Sequence, residues 1–243
     1  FFFTCQFFPM WVADMDIASP PCVFEAIKQR AEHPILGYED NPNDAIAAQI
    51  QWLEKRQNFI IDKSWVLNSH SAVASIHMAI QAFSEIGDEV IIMTPVYHAF
   101  ARTIEQENRH IIEWQLEEDN GDYHFCLDML KQQISHKSKL LILCSPHNPV
   151  GRLWTRNELE AIGNFCLEHK ILIIADEMHA DLILSEERFV PLANISHEIA
   201  QNCITLQGPG KPFNLTGIGL SSIIISKPER YRQFKRVHQQ FNP

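Results

Sequence analysis

The sequence predicts an α/β fold with a mostly parallel sheet of the seven-stranded type flanked by helices. Three observations predict it. Short, solid apolar runs rich in Ile, Leu and Val recur along the chain, as expected of strands covered on both faces. Longer amphipathic stretches lie between them, so successive strands are joined by helical crossovers. Composition agrees, because 46% hydrophobic residues in 243 are enough for a sizeable buried core.

Taken in order, "NSHSAVASIHMAIQAF" (68–83) reads as a helix capped by Ser71, with Val73, Ile76, Ile80 and Phe83 on its apolar face. "EVIIMT" (89–94) is the first solid strand. "LDMLKQQI" (127–134) is a helix, followed by the strand "KLLILCS" (139–145). "TRNELEAIGNFCLEH" (155–169) is a helix whose Thr155 and Glu158 have the spacing for reciprocal capping. "ILIIAD" (171–176) and "CITL" (203–206) are strands, and "GLSSIIIS" (219–226) follows so soon that it is expected to run antiparallel to its neighbour.

Charge and cysteine content narrow the partners. The net charge of -10, with 20 basic residues scattered among 30 acidic ones, argues against a nucleic-acid partner. No apolar run approaches the roughly 18 residues of a membrane span, so no membrane partner is expected. The six cysteines (Cys5, Cys22, Cys126, Cys144, Cys166, Cys203) are widely spaced, and four lie in apolar runs; they read as buried free thiols in a reducing, cytoplasmic setting. The opening "FFFTCQFF" lacks a basic start and a cleavage site, which makes it a poor signal peptide and suggests a chain that begins mid-protein.

In an open α/β sheet, ligands bind beyond the carboxyl ends of the strands. Here those ends deliver Tyr97 after "EVIIMT", Asn148 after "KLLILCS", Asp176 and then His179 after "ILIIAD", and Lys211 in "LQGPGKPFNLTG" after "CITL". The helix opened by Ser71 adds free amides at Ala72 and Val73, a ready seat for a phosphate. Each piece alone has a plain structural reading: Asp176 as a helix cap, Asn148 as a turn, Tyr97 as a core aromatic. Asp176, His179 and Asp181 could also ligate a metal with His147 or His98, although that leaves Lys211, Asn148 and the helix start without a role.

The conjunction resembles the fold type I pyridoxal-phosphate enzymes of the class I/II aminotransferase superfamily, and among them the carbon–sulfur lyases of the MalY/PatB-type cystathionine β-lyase group. The residues that carry the resemblance are "PMWVADMDIASPP" (9–21), "GY" (37–38), "TPVYHAF" (94–100), "CSPHNPVGRLWT" (144–155), "ADEMHADL" (175–182) and "GKPFNLTG" (210–217).

The resemblance implies pyridoxal 5'-phosphate as cofactor and a role for each residue. Lys211 bonds the cofactor aldehyde and then removes the substrate's Cα proton. Asp176 keeps the pyridine nitrogen protonated so that the ring accepts electrons. Asn148 hydrogen-bonds the ring oxygen and Tyr97 stacks on the ring face. His179 orients Asp176 or packs as a core histidine. Tyr38 reaches the cofactor phosphate of a partner subunit, which implies a homodimer.

The implied reaction is α,β-elimination from a small sulfur-containing amino acid, giving thiol, pyruvate and ammonia. An aminotransferase of the same fold and a degenerate, non-catalytic fragment are the alternatives. The resemblance also divides the chain: residues 1–35 contribute to a small domain and the active-site edge, and 36–243 form the cofactor-binding large domain, with the small C-terminal domain absent. Relatives have serines where this chain has Gly208 and Gly210, and a glycine where it has Ser71. With about 1.5–3 kcal/mol for each hydrogen bond to a charged group, two lost bonds are expected to weaken phosphate binding by roughly 10²- to 10⁴-fold.

Overall fold

The computed structural model describes residues 12–35, 37 and 43–241. The expectation for Tyr38, and Cys5 among the thiols, lie outside these residues.

Helices α1 (Pro21–Glu32) and α2 (Asn43–Gln57) precede β1 (Val66–Ser69) and α3 (Ala72–Phe83). Then follow β2 (Glu89–Thr94), α4 (Ala99–Gln106), β3 (His110–Gln115), the hairpin of β4 (Glu117–Asp119) and β5 (Asp122–His124), and α5 (Leu127–Gln133). The second half contains β6 (Ser138–Cys144), α6 (Arg156–Glu168), β7 (Leu172–Asp176), the single turn α7 (His197–Ala200), β8 (Cys203–Gln207), β9 (Ser221–Ile224) and α8 (Pro228–Phe241).

Among the described residues, seven strands form one sheet in the order β1-β9-β8-β7-β6-β2-β3. Strands β8, β7, β6, β2 and β3 pair in parallel, and β9 alone runs against both its neighbours, β8 and β1. The antiparallel turn-back expected after the Lys211 loop is therefore present, and the solid apolar runs are the central strands.

Side chains alternate across the sheet, so each strand feeds two cores. Ile142, Ile174, Ile204 and Ile223 face α3 and α8, packing with Ile76, Ile80 and Phe234. Leu141, Ile173 and Ala175 face the other way, toward Trp114, Trp154, Ile162 and Phe165. A third cluster joins Ile46 and Leu53 of α2 to Val66 and Ile224 at the β1 edge. Helix α6 starts with the capping box anticipated from Thr155 and Glu158.

Three thiols, Cys144, Cys166 and Cys203, are buried; Cys126 is half-buried and Cys22 exposed, and none of these five is in a disulfide. Among the described residues, no helix is long and apolar enough to cross a membrane.

Candidate active site

The parallel register brings the strand ends level. Cys144 and Asp176 are direct partners across β6 and β7, and Asp176 pairs with Leu206 of β8. Beyond the strands, Ser145 N donates to Asp176 O (3.0 Å) and Glu177 N to Leu206 O (2.9 Å), which extends the lattice by one residue. Asp176, Asn148, Tyr97 and Lys211 accordingly follow the carboxyl ends of four adjacent parallel strands.

Asp176 is buried, and among the described residues its Oδ1 accepts one hydrogen bond, from Met178 N at 3.2 Å. Burial pushes its carboxyl up to about 6, against the pull of that N–H and of the Lys211 charge. The cap expected of it is a turn cap: residues 178–181 form turns and no helix begins there. The donor on Asp176 among the described contacts is Met178 rather than His179. His179 is half-buried, and burial together with the Lys211 charge lowers its pKa.

Lys211 lies in the turn after β8, and its Nζ donates to Ala13 O at 3.2 Å. The loop is stitched to the N-terminal segment by Asn214, whose Nδ2 donates to Met15 O (2.7 Å) and Ile17 O (2.9 Å), and by Ser19 Oγ donating to Asn214 O (2.8 Å). "VADMDIAS" therefore acts as a strap across the lysine loop, a role invisible in the sequence because the partners are about 200 positions apart.

At the start of α3, Ser71 Oγ accepts from Ala74 N at 3.1 Å, as the cap signal anticipates. The N–H groups of Ala72 and Val73 make no hydrogen bond among the described residues and remain available to an anion. Tyr97 sits against Phe100 and His98, with ring centroids 5.7 and 4.9 Å away. Asn148 is half-buried, with its backbone N–H on Cys144 Sγ at 3.5 Å.

Two features were not anticipated. Strand alternation turns Glu177 to the face opposite Asp176, where it is buried and accepts from Leu192 N and Gln207 Nε2, both at 2.8 Å. Gln207 in turn exchanges two amide bonds with Gln57 of α2 (3.1 and 2.9 Å), and burial pushes the Glu177 carboxyl up to about 8. Beside this chain, Trp52 of α2 donates to Asp181 Oδ2 (2.8 Å) and packs edge-on against Phe213 (5.2 Å). Asp181 is thus drawn to α2, and among the described residues no group of three metal-ligating side chains converges.

The two glycines of the loop differ. A Cβ on Gly208 would stand 2.9 Å from Leu220 O and 3.2 Å from Ser221 Cα, whereas on Gly210 it would meet its nearest neighbour, Thr216 Cα, at 3.6 Å. Only Gly208 is required by packing.

A mostly parallel sheet whose strand ends deliver a buried acid, an amide, an aromatic and a loop lysine, beside an open helix start, matches the aminotransferase-like class of α/β proteins. The chain belongs to the class I and II aminotransferase family, whose model matches residues 12–242. It is 38% identical over 228 residues to the cystathionine β-lyase PatB of Bacillus subtilis (strain 168), covering 93% of this chain and 58% of that protein. It is 33% identical over 234 residues to the MalY protein of Escherichia coli (strain K12), covering 94% and 59%. Among solved structures, cystalysin from Treponema denticola, which contains a pyridoxal 5'-phosphate cofactor, superposes with a TM-score of 0.92 at 34% identity, covering 96% of this chain and 59% of that one. The chain thus spans somewhat under three fifths of the length of these relatives.

Proposed function

We propose that the chain is the cofactor-binding part of a pyridoxal-phosphate-dependent carbon–sulfur β-lyase. The observation that carries this reading is the buried Asp176 carboxylate, with one hydrogen bond, lying within electrostatic reach of the Lys211 amine. A buried acid with a single hydrogen bond among the described residues has room for a cationic donor, and a protonated pyridine nitrogen is one. The free amides of Ala72 and Val73 suit the phosphate end, and the half-buried Lys211 suits the aldehyde. The residues present therefore fit the cofactor.

Pyridoxal phosphate, when bound, supplies an aldehyde that takes up an amine and a ring that accepts the electron pair left at Cα. Asp176 would accept the ring N–H and hold that proton in place. Asn148 would hold the ring oxygen through its side-chain amide, and Tyr97 would cover the ring face and exclude water from it. Lys211 Nζ would take the Cα proton of the substrate, allowing the Cβ–S electron pair to leave on sulfur. With one water consumed, the amino acid becomes thiol, pyruvate and ammonia. The substrate class is a small amino acid bearing sulfur at Cβ, as the name of PatB suggests through cystathionine.

The same reading makes residues 1–35 an N-terminal segment at the active-site edge and 36–243 the large domain. It makes the working unit a homodimer to which Tyr38 contributes, and the compartment the cytoplasm, in keeping with five unpaired cysteines.

The test is a titration of the purified chain and its Lys211→Ala variant with pyridoxal phosphate, followed by borohydride trapping and mass analysis. A saturable visible band and a trapped adduct on Lys211, both lost in the variant, support the reading. Unchanged binding in the variant overturns it. Incubation of the loaded protein with cystathionine then separates a lyase, which releases thiol and pyruvate, from an aminotransferase, which leaves pyridoxamine phosphate.

A further inference from the structure

His147 is 1% exposed and lies between the two loops that carry Tyr97 and Asn148. Its Nε2 is 2.9 Å from Pro95 O, two residues before Tyr97, and its Nδ1 is 3.3 Å from Cys144 O at the end of β6. These partners, and the Met93 carbonyl that also meets the ring, are all carbonyls, which only accept, and a neutral imidazole has a single N–H. Cys144 O already receives Trp154 Nε1 at 3.0 Å, so its need is met without the histidine. Among the described residues, Pro95 O gains a donor only if the proton is on Nε2. The main chain fixes the ring from the other side, because His147 N donates to Arg152 O (2.7 Å) and Gly151 N to His147 O (2.8 Å).

We propose that His147 is a positioning residue: its Nε2–H holds the Pro95 carbonyl and thereby fixes the Tyr97 loop against the Asn148 loop, setting the place of the stacking ring relative to the amide. This deepens the cofactor reading given above and rests on it for its catalytic consequence. The geometry explains why a histidine precedes Asn148 without inviting a metal. A side chain there must cross from one loop to the other, fill the space beside Trp154, whose ring centroid is 5.5 Å away, and end in a donor.

Protonation adds a second donor. Burial lowers the His147 pKa, so the neutral ring prevails near neutral pH. No charged group is among the causes of that shift; of the nearby titratable residues, Cys144 and Arg152 meet His147 through their backbone, while Tyr97, His98, Asp176 and Glu158 lie at the adjoining ends of β2, β7 and α6. Arg152 is engaged by Glu158 at 2.6 Å and stacks over Trp154. Cys144 stays a thiol, its pKa pushed up by burial and by the Asp176 charge.

The experiment compares the chain with His147→Phe, which fills the space without a donor, and His147→Gln, whose amide N–H reaches about as far as Nε2. Histidine-selective nitrogen NMR on the cofactor-free wild type is expected to find the Nε2-protonated neutral tautomer; an Nδ1-protonated ring overturns the proposal. Hydrogen exchange at Val96 and Tyr97 is expected to speed up in His147→Phe and return toward wild type in His147→Gln. Pyridoxal phosphate affinity is expected to fall about five- to tenfold in His147→Phe, the worth of one hydrogen bond, with an altered visible circular dichroism band, and to recover in His147→Gln. Equal behaviour of His147→Phe and wild type, or of His147→Gln and His147→Phe, overturns the proposal. If His147→Phe lacks a cooperative melt, the tautomer and the glutamine variant decide. A wild type that binds no cofactor overturns the cofactor reading instead, and tautomer and exchange still decide the clamp.

Discussion

Asn214 and Met15 are joined by two hydrogen bonds: Asn214 Nδ2 donates to Met15 O at 2.7 Å, and Met15 N donates to Asn214 Oδ1 at 3.3 Å. One side chain thus treats the strap as a partner strand, three residues beyond the lysine. Asn214 also has φ +55°, a left-handed conformation that Asn and Gly adopt more readily than Ala. Asn214→Gly should therefore loosen the strap with little backbone strain, while Asn214→Ala adds strain. Hydrogen exchange across residues 12–20 is expected to quicken in both. The melt is expected to fall further in Asn214→Ala, each lost bond at this exposed position being worth about 1 kcal/mol or less.

Glu177 makes stability depend on pH. Its folded pKa, about 8, lies above the ordinary carboxylate value of 4.5, so between those values the unfolded chain has released a proton that the folded chain keeps. The contribution is full below the unfolded pKa and is lost as pH rises through the folded one, at up to about 1.4 kcal/mol per pH unit. The melting temperature is expected to decline from pH 5 to pH 8, with the Glu177 share levelling above that. Glu177→Gln removes this share, the amides of Gln207 and Gln57 reversing together to supply an acceptor. A variant with the wild-type slope contradicts the assignment.

Asp176 adds a second limb, on binding. Its carboxyl is pushed up to about 6, so below that pH it gains a proton and loses its attraction for a cationic ring nitrogen. Pyridoxal phosphate affinity is expected to drop as pH falls from 7 to 5. Asp176→Asn should bind weakly throughout and lack the part of the drop that Asp176 causes, which parallel titrations of the two proteins measure.

The central sheet was legible because strands buried on both faces are written as uninterrupted apolar runs: β2, β6, β7 and β8 fall within a residue of the segments quoted from the sequence. Strand β1 was missed because "VLNS" is four residues long and half polar, and β3 because "HIIEWQ", an edge strand, carries no such run. The strand ends, and with them Asp176, Asn148 and Lys211, followed from the parallel sheet. The Glu177–Gln207–Gln57 chain did not, since it joins positions 150 apart and depends on which face each residue takes. From its sequence context His147 reads only as a metal ligand; nothing in "SPHNP" reveals that its partners are carbonyls.

Gly208 and Gly210 looked equivalent in the sequence, and the structure separates them. At Gly208 a side chain would press on the backbone of Leu220 and Ser221, which pack under the loop, so Gly208→Ser is expected to shift the loop and weaken both the melt and cofactor binding. At Gly210 a serine meets only ordinary contacts around Thr216, and its hydroxyl adds one donor next to the lysine. One hydrogen bond to a charged phosphate is worth about 1.5–3 kcal/mol, so Gly210→Ser is expected to tighten pyridoxal phosphate binding by roughly 10- to 100-fold. Titration of both variants beside the wild type checks the pair. Equal loss at both positions would mean that the loop tolerates no side chain. A gain confined to Gly210→Ser would mean that this loop lacks a single phosphate donor and is otherwise built to hold one.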